Sequence, residues 1–119
     1  MTSLGKAARA AAVEMARTSG DARNAALVAA AAALRARSAH IIEANARDMA
    51  SAEERGLSGA MLDRLLLDDE RVEAMAAGIE TIIGLHDPVG RVLEEWERPN
   101  GLHIQRVAVP LGVIGIIYE

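Results

Sequence analysis

The sequence predicts an α/β fold: helices first, then a β-hairpin, then the first strand of a parallel sheet. Three observations carry this. Val113, Ile114, Ile116 and Ile117 form a nearly unbroken β-branched run without polar alternation, the pattern of a strand buried on both faces. Two extended runs flank Arg98-Pro99-Asn100-Gly101, which is a hairpin signal. Upstream of His86, Ala-rich and Leu-rich segments carry helical spacing broken by Gly and Ser. A strand covered on both faces needs partner strands and crossover segments. The chain is therefore expected to be the opening portion of a larger α/β protein.

The elements follow in order. Residues 3–18 read as a first helix with Ser3 as cap, stopped by Thr18-Ser19-Gly20. Ser19 or Asp21 then caps a second helix to about Arg37. Leu27, Val28 and Leu34 mark its apolar face, and Arg35 and Arg37 suit its negative end. Ser38 is the expected cap of a third helix, which runs toward Arg55 and stops at Gly56. Ser58 caps a short helical turn over Met61, Leu62, Leu65 and Leu66. Asp68 begins a fifth helix whose expected stripe is Val72, Met75, Ile79, Ile82 and Ile83.

His86-Asp87-Pro88-Val89-Gly90 ends the helical region, because Pro88 disfavours a helical Asp87 and Gly90 permits a turn. Arg91 to Glu97 and Leu102 to Val109 make the hairpin, with one face expected to be wet. The organisation is thus a helical segment over 1–90, a hairpin over 91–109 and a strand over 110–119.

Composition narrows the function. The 119 residues are 51% hydrophobic, enough for a core, but only 2% aromatic, with Ala supplying much of the apolar fraction. A net charge of −4 and no basic patch beside stacking aromatics argue against nucleic acid. There is no Cys, hence no disulfide and no thiol nucleophile within these residues. No signal peptide is visible, and the longest apolar run, Ala25 to Leu34, is shorter than the roughly twenty residues of a membrane span. A soluble, cytoplasmic protein is the expectation.

Few residues carry chemistry. His40, His86 and His103 have no metal-ligand spacing, and loop or surface roles are favoured. Arg64 is expected to pair with Asp68 at i+4. Glu94, Glu95 and Glu97 look like paired carboxylates, but beside Arg91 and Arg98 they read better as charges guarding an edge strand. Trp96 is expected to pack. Gly112 and Gly115 fail the dinucleotide fingerprint, since no third glycine follows and neither lies in a turn after the strand. Gly115 instead suggests close approach of a neighbouring backbone. By themselves these residues offer no catalytic group and no metal site.

A resemblance adds what the chemistry lacks. Asn100-Gly101-Leu102 and Arg106 through Glu119 closely resemble the glutamate-5-semialdehyde dehydrogenase (gamma-glutamyl-phosphate reductase) family, within the aldehyde dehydrogenase superfamily. Ala44-Asn45-Ala46-Arg47-Asp48, Met61-Leu62-Asp63-Arg64-Leu65 and Asp87-Pro88-Val89-Gly90 are similar to the same family in the same order. The resemblance implies the N-terminal part of an aldehyde dehydrogenase-like fold. It implies an NADPH-dependent reductase of proline biosynthesis that converts L-glutamyl 5-phosphate to the semialdehyde and phosphate through a Cys thioester. That Cys and the family's Arg-Pro-Asn element have no counterpart here, so these residues are expected to be inactive alone. The resemblance further implies a homo-oligomer, with the hairpin as a contact. Ile117, Tyr118 and Glu119 are the cofactor-binding candidates, because they match the end of the strand whose carboxyl side faces the nucleotide. Two rival readings are a non-catalytic helical module that binds a partner through Val113–Tyr118, and a regulatory chain that joins intact enzyme through the hairpin.

Overall fold

The computed structural model describes residues 2–117. Five helices precede a two-stranded antiparallel sheet: α1 Thr2–Arg17, α2 Gly20–Ala36, α3 Ser38–Glu54, α4 Gly59–Leu65, α5 Asp69–Ile83, then β1 Val92–Glu97 and β2 His103–Val107. The chain forms two units. One runs to Arg23 and resumes at His86; the other is Asn24–Leu85. This grouping joins α1 to the hairpin, although the intervening helices separate them in sequence.

Several helix ends behave as their sequences predict. Ser19 Oγ accepts from the Ala22 amide, so Ser19, rather than Asp21, supplies the cap of α2. Asp68 has extended backbone and accepts from Arg71 N at 2.8 Å, while Asp69 and Glu70 occupy the first turn of α5. Gly56, at φ +73, closes α3, a conformation that favours glycine. Ser38 departs from expectation. The N-cap of α3 is Arg37, with no side-chain cap bond, and the Ser38 hydroxyl instead donates to Asp69 at 3.1 Å. Ser58 sits at the N-cap of α4 but makes no cap bond either.

Unit Asn24–Leu85 holds the buried residues Ala31, Asn45, Ala52, Val72 and Ala76. Three of these are alanines, so close helix approach, more than bulky side chains, builds this core. The expected stripe of α5 shifts accordingly. Val72 and Ala76 are buried and Ile79 and Ile83 half-buried, whereas Met75 and Ile82 are exposed. Spacing i, i+4, i+7, i+11 describes the packed face, and Ala76 is its missing member. In α2 the same applies: Ala31 lies between Leu27 and Leu34, and Val28 faces out.

The hairpin turns at Arg98–Gly101. Gly101 N donates to Arg98 O at 2.9 Å, Arg98 N donates to Leu102 O at 2.9 Å, and Gly101 has φ +80. This is a three-residue connection ending in a left-handed glycine, and Pro99 suits its first corner. Glu94 faces Arg106, Trp96 faces Ile104, and Glu97 faces His103, with an irregularity at Leu93. The expected single wet face is not seen. Strand residues other than Ile104 are exposed on both faces, because among the described residues no second layer covers either side.

The segment 110–119, expected to hold a strand, is described as far as Ile117. Residues 108–117 carry no strand assignment, and Val113, Ile114, Ile116 and Ile117 are exposed, Ile117 at 92%. A ladder needs a hydrogen-bonded neighbour, and the described residues provide none beside this segment. Gly115 has open space around it, not the close backbone contact expected.

Candidate functional site

The unit that joins α1 to the hairpin centres on Arg23 and Asp87. Arg23, in the first turns of α2, places Nη2 2.5 Å from Asp87 Oδ2 and donates from Nη1 to Thr18 O at 2.5 Å. The other Asp87 oxygen accepts from Val89 N at 3.0 Å. The Arg23 hydrogen bond foremost, then the Val89 amide, hold the Asp87 carboxyl below its ordinary range. Asp87 is thus an anchor, occupied at both oxygens. In the same unit, an open cleft of about 580 Å³ is lined by Arg9, Ala12 and Val13 of α1 and by Leu111–Val113. Its walls are mostly aliphatic, and Arg9 is its cation.

In the other unit Arg35 is the charged centre. Its guanidinium contacts Glu73 at 2.6 Å through three hydrogen bonds and Glu80 at 2.5 Å through two. These bonds lower both carboxylate pKa values and raise that of Arg35. Arg71 pairs with Asp63 at 2.7 Å and also bonds the Asp63 and Leu66 carbonyls. The expected Arg64–Asp68 pair gives way to this arrangement, since the Asp68 side chain is engaged as the α5 cap. These are exposed or half-exposed structural clamps.

The hairpin carboxylates face across the sheet. Glu94 meets Arg106 at 3.4 Å, and Glu95 meets His103 Nε2 at 2.8 Å and Gln105 at 2.7 Å. Glu94 and Glu95 thus pair with residues of β2, and all three carboxylates are exposed on the strand. Trp96 is 42% exposed, so it packs only partly, against its cross-strand neighbour Ile104. Among the described residues no group of three His, Asp or Glu side chains could hold a metal ion. No single described helix is long and apolar enough to cross a membrane.

Of the three cofactor-binding candidates, Ile117 lies within the described residues. Ile117 is an exposed aliphatic side chain outside the cleft lining. Tyr118 and Glu119 lie outside the described residues.

Residue spacing could have revealed some of this geometry. Glu73 and Glu80 are two helical turns apart and so share a face, which invites a common cation. Asn45 in mid-helix was a flag for a side chain bonded elsewhere. Arg23 and Asp87 are separated by 64 positions, and nothing local announces their pairing.

No family model matches the chain. Curated proteins do. It is 60% identical over all 119 residues to the gamma-glutamyl phosphate reductase of Paramagnetospirillum magneticum and 56% identical to that of Methylocella silvestris. The chain is similar along its whole length to gamma-glutamyl phosphate reductases. It spans 28% of the length of these relatives. Solved structures agree. The Thermotoga maritima gamma-glutamyl phosphate reductase superposes with a TM-score of 0.85 at 41% identity, over 88% of this chain and 25% of that one. The Saccharomyces cerevisiae enzyme gives 0.81 at 37% identity, over 88% and 27%. The helices and the two-stranded sheet match the N-terminal part of these reductases, and the fold class is α/β.

Proposed function

We propose that this chain supplies the N-terminal helices and hairpin of an oxidoreductase that converts L-glutamyl 5-phosphate to glutamate 5-semialdehyde and phosphate. The observation that carries this is identity of 51–60% along the entire chain to proteins named gamma-glutamyl phosphate reductase. NADPH is the proposed reductant and proline biosynthesis in the cytoplasm the proposed setting. The end of the segment at Ile117, Tyr118 and Glu119 is the proposed cofactor-facing edge. The hairpin is the proposed contact between subunits of a homo-oligomer. Its exposed strands and exposed Val92, Leu93, Trp96 and Val107 support that role.

The proposed chemistry needs a thiolate, and these 119 residues contain no Cys. They therefore contribute architecture and not the nucleophile. A spectrophotometric reductase assay tests this directly, comparing the 119-residue polypeptide with a complete homologous reductase. Activity only in the complete enzyme supports the reading. Turnover by the short polypeptide would overturn it.

A further inference from the structure

The hairpin is an arm with little to lean on. Its strands pair with each other, and among the described residues neither strand packs closely on a helix. Burial therefore does not set its direction. Hydrogen bonds at its base do. Gly90 N donates to Ala108 O at 3.0 Å and Ala108 N to Arg91 O at 2.9 Å, extending the ladder down to Gly90. One residue earlier, Val89 N donates to Asp87 Oδ1. Asp87 Oδ2 grips Arg23, whose guanidinium also holds the Thr18 carbonyl between α1 and α2.

We infer that the Asp87 carboxylate is the pin that sets the direction of the hairpin, with one oxygen on the hairpin base and the other on Arg23. Charge-assisted bonds of this length are directional as well as strong. The surroundings are shaped for it. A Cβ on Gly20 would lie 2.8 Å from Asp87 Oδ2, so the start of α2 leaves the carboxylate its place only because that residue has no side chain. Gly90, at φ +82, then turns the chain into the first strand. The consequence for assembly rests on the hairpin reading given above: a pinned arm presents its contact surface with less ordering entropy lost on association.

Trp96, the chain's one tryptophan, sits on this arm and reports its motion. The experiment measures time-resolved Trp96 anisotropy in the 119-residue chain and in the variants Asp87→Ala, Asp87→Asn and Arg23→Met, with far-UV circular dichroism alongside. Asp87→Ala and Arg23→Met are expected to add a fast depolarising component while helical signal is retained. Asp87→Asn, which keeps the Val89 acceptor, should fall between. Unchanged Trp96 decay in Asp87→Ala overturns the pin. So does a loss of helix in step with the anisotropy, which would mean that the pair holds the helices and not the arm. Sedimentation of the same substitutions in a complete homologous reductase separates the two ideas. Looser Trp96 with unchanged assembly leaves the pin standing and removes the hairpin from the interface.

Discussion

Asn45 holds Leu67 from the middle of a helix. Its Oδ1 accepts from Leu67 N at 2.8 Å, and its Nδ2 donates to Leu65 O at 2.8 Å. The side chain replaces a missing backbone partner for the α4–α5 connection on both its donor and its acceptor side. Asn45 is 6% exposed, so water does not readily substitute for it.

Asn45→Ala should therefore destabilise the Asn24–Leu85 unit by about 1–3 kcal/mol, the cost of leaving buried polar groups unpaired. Urea unfolding followed by circular dichroism checks this. Asn45→Leu should be no milder, since added apolar volume does not satisfy the Leu67 amide.

Overpacking should be felt where the core is alanine. Ala52 and Ala76 are fully buried, on two helices that contact each other. Ala76→Leu is expected to cost about 1–3 kcal/mol through forced displacement of neighbouring side chains. Ala77→Leu, one position away and exposed, should be close to neutral. Paired thermal melts distinguish the two.

Acid should loosen both units through their depressed carboxylates. Glu73 and Glu80 have folded pKa values below the ordinary 4.5, and Asp87 below 3.8. Groups depressed in the folded state stabilise it above the unfolded value, and that stability is lost as pH falls through the folded one. Stability should thus be level above about pH 5 and decline below the ordinary carboxylate range. Arg35→Met should lower the plateau and flatten part of that decline. Chemical denaturation at several pH values reads both effects.

Gly101 occupies a left-handed position in the hairpin turn. Gly101→Ala should weaken the hairpin by roughly 1–2 kcal/mol, and Gly101→Asn by less, since Asn tolerates that conformation. Amide hydrogen exchange along Val92–Glu97 and His103–Val107 measures it.

The uncharged run at Val113–Ile117 is exposed and has an unpaired backbone among the described residues. Such segments seek strand partners. The 119-residue chain should self-associate with rising concentration, and Ile114→Lys should suppress this. Light scattering against concentration decides it.

The sequence by itself determined the helix ends at Gly56 and Asp68, the turn around Gly101 and the helix-then-hairpin order, and narrowed the α2 cap to Ser19 or Asp21. Each depends on the local chemistry of a cap or a left-handed glycine, which acts within a few residues. The motifs from Ala44 to Glu119 also carried the family resemblance. Only the tertiary structure decided that Ala76, not Met75, belongs to the packed face of α5, because alanine's value lies in how closely a neighbour can approach. It likewise decided that Arg35 bridges Glu73 and Glu80, that Arg71 displaces Arg64 as the partner of the acidic turn, and that Asp87 reaches back to Arg23. Those pairings join residues far apart along the chain, and a charge finds its partner by proximity in space, which local pattern does not encode.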